Sequence, residues 1–103
     1  MTRHRIVVCY DISNNRVRQH FVKILNKYGT RLQKSIYEFY ITKSMAQSMR
    51  KEIADFYFRA VSAKKHKEGK SLNILMIPIC EECFKSKVTH GQDFNEHSKN
   101  IIL

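Results

Sequence analysis

The sequence has no apolar run approaching the ~18 residues that cross a bilayer, and no internal repeat. It opens with the polar and basic residues Thr2, Arg3, His4 and Arg5 in place of a signal-peptide apolar stretch, so a cytoplasmic protein away from the membrane is expected. Three cysteines make an odd count and no disulfide framework, which argues against a secreted, stapled basic toxin and for a reducing compartment. Acidic residues are scarce: nine Asp and Glu face nineteen Lys and Arg, and Asp11 is one of three aspartates.

That imbalance gives a formal charge of +10 and a pI near 9.8, which favours a phosphate-rich partner through release of its counterions. DNA or RNA is the expected partner. The 103 residues suffice for one domain, and the 43% apolar content with eleven Phe and Tyr supplies enough buriable surface to fold it. A chain this small leaves much surface for a second copy.

Residues 5–11 predict a central strand, because Ile6, Val7, Val8, Cys9 and Tyr10 form a β-branched, nearly unbroken apolar run of the kind buried on both faces. Ser13 or Asn14 can cap a helix with Val17, Phe21, Ile24, Leu25 and Tyr28 on one stripe, and Gly29 stands where a left-handed stop is expected. Residues 31–41 predict one broken strand or two short ones, interrupted at Gln33, Lys34 and Ser35. Thr42 or Ser44 begins a second helix that carries Met45, Met49, Ile53, Phe56 and Ala60 at helical spacing and ends near Ala63.

Residues 64–70 are basic and lack periodic apolar positions, so they predict a solvated loop. Residues 72–79 predict a strand in which Pro78 points to an edge position or a bend, and residues 85–90 predict one more short strand. The order strand, helix, strand, strand, helix, strand is that of an α+β, ferredoxin-like βαββαβ fold, its antiparallel sheet covered on one face. Residues 1–90 would form this domain and residues 91–103 a polar C-terminal tail. The extra C-terminal strand and the free edge suggest a homodimer joined by strand addition.

Two segments then carry a family likeness: Val7-Val8-Cys9-Tyr10-Asp11-Ile12-Ser13, and Tyr28-Gly29-Thr30-Arg31-Leu32-Gln33-Lys34-Ser35-Ile36-Tyr37-Glu38-Phe39. In order and spacing the chain resembles the CRISPR-associated Cas-two family of the spacer-acquisition machinery, over roughly residues 5 to 90. The resemblance implies a ferredoxin-like homodimer whose C-terminal strand crosses to its partner, association with the Cas-one integrase during capture of foreign DNA, and metal-dependent nuclease activity. It attaches that activity to the aspartate ending the first strand, here Asp11. Where many relatives carry a further acidic residue, this chain has Ser13, Asn14 and Asn15.

One carboxylate is a poor site for Mg²⁺, which takes one or two carboxylates with waters and substrate phosphate, so Asp11 from both chains of a dimer is the expected catalytic and metal site. The alternative role for Asp11 is to cap the following helix or bond loop amides. Arg16, Arg18, Arg31 and Lys34 are the expected nucleic-acid contacts, since the arginine fork matches phosphate oxygens; a solvated helix face is their alternative. Tyr37, Phe39 and Tyr40 are expected in the core, because the RNP signature of an RNA-recognition module is missing. Cys80-Glu81-Glu82-Cys83 with His90 and His97 spells C-x2-C-x6-H-x6-H, set against a plain turn with one buried and one exposed thiol. An RNA-cutting toxin of a toxin-antitoxin pair with the same fold is the rival function, and a regulatory module binding a small ligand the third.

Overall fold

The computed structural model describes residues 2–63 and 70–91. Its elements are β1 (Arg3–Ile12), α1 (Asn15–Asn26), β2 (Thr30–Gln33), β3 (Ile36–Thr42), α2 (Lys43–Ser62), β4 (Leu72–Ile79) and a short α3 (Glu81–Lys85). The strands form one antiparallel sheet in the order β2-β3-β1-β4, which is the expected α+β, ferredoxin-like βαββαβ arrangement. Among the described residues no helix is long and apolar enough to cross a membrane.

Alternation along β1 decides how the layers sit. Ile6, Val8, Tyr10 and Ile12 are buried on one face, beside Tyr37, Phe39 and Ile41 of β3, and pack against Phe21 and Leu25 of α1 and Met49, Ile53 and Phe56 of α2. Each such side chain contributes about 1.5–3 kcal/mol by leaving water. The expectation that β1 is buried on both faces is corrected: Val7 and Cys9, on the opposite face, are only half-buried, because no long helix covers that side. Tyr40 is likewise removed from the core, being 47% exposed on the face opposite α1 and α2.

The helix signals fall at the expected residues. The Asn14 side chain accepts from the Val17 N–H at 3.0 Å, and Thr42 accepts from the Met45 N–H at 3.4 Å, each relieving one unpaired donor in a first turn. Gly29 is needed for a reason other than the expected left-handed stop, since positive φ occurs elsewhere. A Cβ there would meet Phe39 Cδ2 at 2.2 Å and the Glu38 carbonyl at 2.3 Å, so the absent side chain is what lets the chain cross β3.

The break at residues 33–35 is a register shift between Arg31 and Gln33 followed by a hairpin turn with Ser35 at φ 71°. The Ser35 carbonyl accepts the Tyr10 N–H at 3.1 Å, which fastens the turn to the end of β1. Pro78 lies in β4, an edge strand of the sheet in the single chain, as its missing N–H predicts.

The strand expected at residues 85–90 is not formed in the single chain. Cys80 caps α3 instead, Glu81 and Glu82 occupy its first turn, and burial of Phe84 on the sheet face opposite α1 and α2 holds it down. The basic loop expected at residues 64–70 lies outside the described residues except for Lys70, and the tail expected at residues 91–103 except for Gly91.

Candidate functional site

Strand parity puts Asp11 opposite Tyr10, on the face away from α1 and α2, where it pairs in register with Asn73 of β4. Asp11 is exposed, and its carboxylate takes part in none of the hydrogen bonds or ion pairs among the described residues. The capping role open to it in the sequence belongs to Asn14.

The backbone on both sides of Asp11 is fixed. The Ser13 N–H donates to the Ser71 carbonyl at 3.1 Å, and the Ser71 N–H donates back to Ser13 Oγ at 2.7 Å, extending the β1–β4 pairing past its last rung. Arg18 Nη1 donates to the Ile12 carbonyl at 2.9 Å, and its Nη2 donates to Asn15 Oδ1. A free carboxylate therefore stands on an ordered strand end, aimed by backbone rather than by a flexible loop.

The four expected nucleic-acid contacts do not gather around it. Arg18 braces the loop after β1, through the Ile12 carbonyl and Asn15. Arg31 and Arg18 lie near Tyr10 on the helix-covered side: burial raises the Tyr10 hydroxyl pKa above its ordinary value, and the two cations oppose that rise. Burial also raises Tyr37, whose hydroxyl donates to Asn26 Oδ1 at 2.8 Å. Arg16 is exposed on α1 and borders the groove between the helices with His20 and Lys27. Lys34 is exposed on the hairpin turn, one residue from the Ser35 carbonyl that binds the end of β1.

Asn73 is a site residue that sequence reasoning missed, and no signal could have found it, because only the β1–β4 register sets it across from Asp11. An open, mostly apolar groove of about 680 Å³ follows β4, bordered by Asp11, Asn73 and Leu75 and by Tyr57 and Phe58 of α2. Leu75 is 58% exposed, an uncommon position for a leucine beside an unpaired strand edge.

No group of three or more His, Cys, Asp or Glu that could hold a metal occurs among the described residues. Asp11 and Asn73, the oxygen-bearing side chains at this rung, are the residues that could contribute to a hard-cation site, which one chain's single carboxylate does not make. Cys80 and Cys83 are both exposed, correcting the expected buried and exposed pair, while His90 is exposed and His97 lies outside the described residues.

Comparison with known proteins accords with this geometry. The family model described as CRISPR associated protein Cas2 matches residues 4–87. The chain is 30% identical over 80 residues to the CRISPR-associated endoribonuclease Cas2 4 of Rhodospirillum rubrum, covering 78% of this chain and 56% of that protein. It is 28% identical over 86 residues to the CRISPR-associated endoribonuclease Cas2 1 of Methanospirillum hungatei JF-1, covering 82% and 80%. Among solved structures, a crystal structure of Cas2 superposes with a TM-score of 0.52 at 21% identity, covering 75% of this chain and 77% of that one. The Cas2-containing partial Cas6-RT-Cas1 complex gives 0.63 at 19% identity, covering 82% and 87%. At such identities the structures speak for the fold, whereas the family model spans β1 through α3; on that match this chain belongs to the CRISPR-associated Cas2 family.

Proposed function

We propose that the chain acts as a homodimer that binds nucleic acid and bridges the Cas-one integrase during capture of foreign DNA, with Mg²⁺-dependent phosphodiester cleavage at two Asp11 carboxylates. The observation that carries this reading is the placement of Asp11: a free carboxylate on an ordered strand end, on an apolar face without long helices, next to an unpaired strand. Two copies meeting on that face would bury Leu75 and Ile77, satisfy the β4 edge and supply the second carboxylate. Membership of the Cas2 family supports the adaptation role, and the partial complex containing Cas1 with Cas2 supports an integrase as the partner. Both curated relatives are named endoribonucleases, which makes single-stranded RNA the first substrate to test.

In this reading Asp11 and its symmetry mate hold the ion, with Asn73 as the neighbouring oxygen donor. The bound Mg²⁺ supplies a Lewis acid for the phosphodiester and a water of lowered pKa. Lys34, on the hairpin turn whose Ser35 carbonyl binds the end of β1, offsets phosphate charge, while Arg16 and Arg31, on the helix-covered side, offer phosphate contacts separate from the Asp11 face. Among the described residues no histidine or second carboxylate pairs with Asp11 as a general base, so slow turnover is expected.

The test is cleavage of labelled single-stranded RNA and duplex DNA by wild type and Asp11→Ala, with Mg²⁺ and with EDTA, alongside sedimentation to read the oligomeric state. Cutting that EDTA and Asp11→Ala both abolish supports the nuclease reading. Binding without cutting in both proteins removes Asp11 from catalysis and leaves a DNA-gripping scaffold. Growth arrest on expression that depends on Asp11 would instead favour the toxin.

A further inference from the structure

Cys80, Glu81, Glu82 and Cys83 take no part in the Asp11 site. They lie beyond the Arg5 end of β1, where Ile79 pairs with Arg5, whereas Asp11 pairs with Asn73 at the other end. Cys80 is the capping residue of α3, and its Sγ accepts the Cys83 N–H at 3.4 Å. Both thiols are free and exposed. The spacing of three places the two residues one helical turn apart, on the same side, where the Cα separation falls in the range a disulfide spans.

The third cysteine is out of reach. Cys9 pairs with Leu75, four strand positions from Ile79, which puts roughly 13 Å of strand between it and the start of α3. Within one chain the only partner for Cys80 among the described cysteines is Cys83.

We propose that Cys80 and Cys83 form a redox-active dithiol that exchanges with small disulfides. The two thiols are unequal in the sense such a site needs. The adjacent Cys83 thiol, and then its backbone N–H, hold the Cys80 thiol pKa below its ordinary value, while Cys83 is held above its own by Cys80. Cys80, whose Sγ caps α3 and accepts the Cys83 N–H, is the attacking sulfur, and Cys83, one turn along, the resolving one. The Cys80 thiolate attacks one sulfur of a small disulfide RS–SR, forming Cys80–S–SR and releasing RS⁻. The Cys83 thiolate then attacks Cys80 Sγ and expels the second RS⁻. Two protein thiols are oxidised by two electrons, the small disulfide is reduced to two thiols, and the two protons released by the cysteines pass through solvent to the two leaving thiolates. In a reducing compartment the bond is transient, which agrees with the absence of a disulfide framework.

The experiment equilibrates the purified protein in mixtures of reduced and oxidised glutathione, blocks free thiols with an alkylating reagent and reads the products by mass and peptide mapping. The expected result is a Cys80–Cys83 disulfide in wild type and in Cys9→Ser, a glutathione adduct accumulating on Cys80 in Cys83→Ser, and alkylation of Cys80 several-fold faster than of Cys83 in the reduced protein. Failure to form an intrachain disulfide at any buffer ratio overturns the proposal, as does an adduct distributed equally over the three cysteines or a bond found only between chains. Because Cys80 and Cys83 lie beyond the opposite end of β1 from Asp11, the outcome for that pair is independent of whether the protein cleaves nucleic acid.

Discussion

Arg5 and Asp11 project from the same face of β1, near its two ends, in opposite circumstances. Arg5 lies between the rings of Tyr40 and Phe84, its guanidinium carbon 4.2 Å from each centroid, and its Nε donates to Glu81 Oε2 at 3.0 Å. Lys87 also packs on Phe84, with Nζ 3.2 Å from the ring centroid, and stands 3.9 Å from the buried Glu38 carboxylate. Asp11 has none of this company. The difference follows from burial: a charge partly withdrawn from water must find partners, whereas an exposed carboxylate keeps its hydration and stays available to a cation. The paired end holds α3 in place, and the unpaired end leaves a carboxylate open to solvent.

The most severe way to break the paired end is Phe84→Ala, which removes a fully buried ring from beneath both cations. A loss of about 3–5 kcal/mol is expected, read as a fall in Tm, with metal-dependent cleavage retained at temperatures where the protein is folded. Asp11→Ala sharpens the comparison from the other side. Cleavage should fall at least about 100-fold, roughly 2.7 kcal/mol in barrier, while Tm moves by no more than about 2–4 °C in thermal unfolding.

Arg5→Ala should cost about 1–3 kcal/mol, since one side chain carries two ring contacts and an ion pair, and Arg5→Lys should restore only part, having no planar fork. The smallest effect concerns acid. The Arg5 bond holds the Glu81 carboxyl below its ordinary pKa, so its contribution is present above the unfolded value and is lost as pH falls through the folded one. Glu81→Gln should flatten that part of a Tm-versus-pH curve, leaving the share of Glu52, which Lys27 and then Tyr28 hold down in the same direction.

The strands and long helices were legible because their signals are local: alternation in β1, the stripe of α1, the caps at Asn14 and Thr42. Parity also held the key to Asp11, since a strand that buries Ile6, Val8, Tyr10 and Ile12 must turn Asp11 the other way. What stayed hidden depends on register and on distant partners. Nothing near Asn73 in the sequence announces that it faces Asp11, and nothing near Arg18 shows that its fork will close on the Ile12 carbonyl. The reason for Gly29 lies in β3, not in its own backbone angle. α3 escaped notice because five residues carry little periodicity, and Phe84 and Val88 suit a strand until the sheet offers Phe84 a place to be buried.

Ser35 adopts a left-handed backbone angle that an L-residue with a side chain reaches at a cost of about 1–2 kcal/mol. Its carbonyl is held by the Tyr10 N–H, so the conformation is borrowed from β1 rather than preferred by the turn itself. The tip that carries Lys34 thus behaves as a loaded spring whose catch is the last stretch of the central strand. A disturbance that tugs on the end of β1 beside Asp11 would be passed through that amide to the turn that carries Lys34.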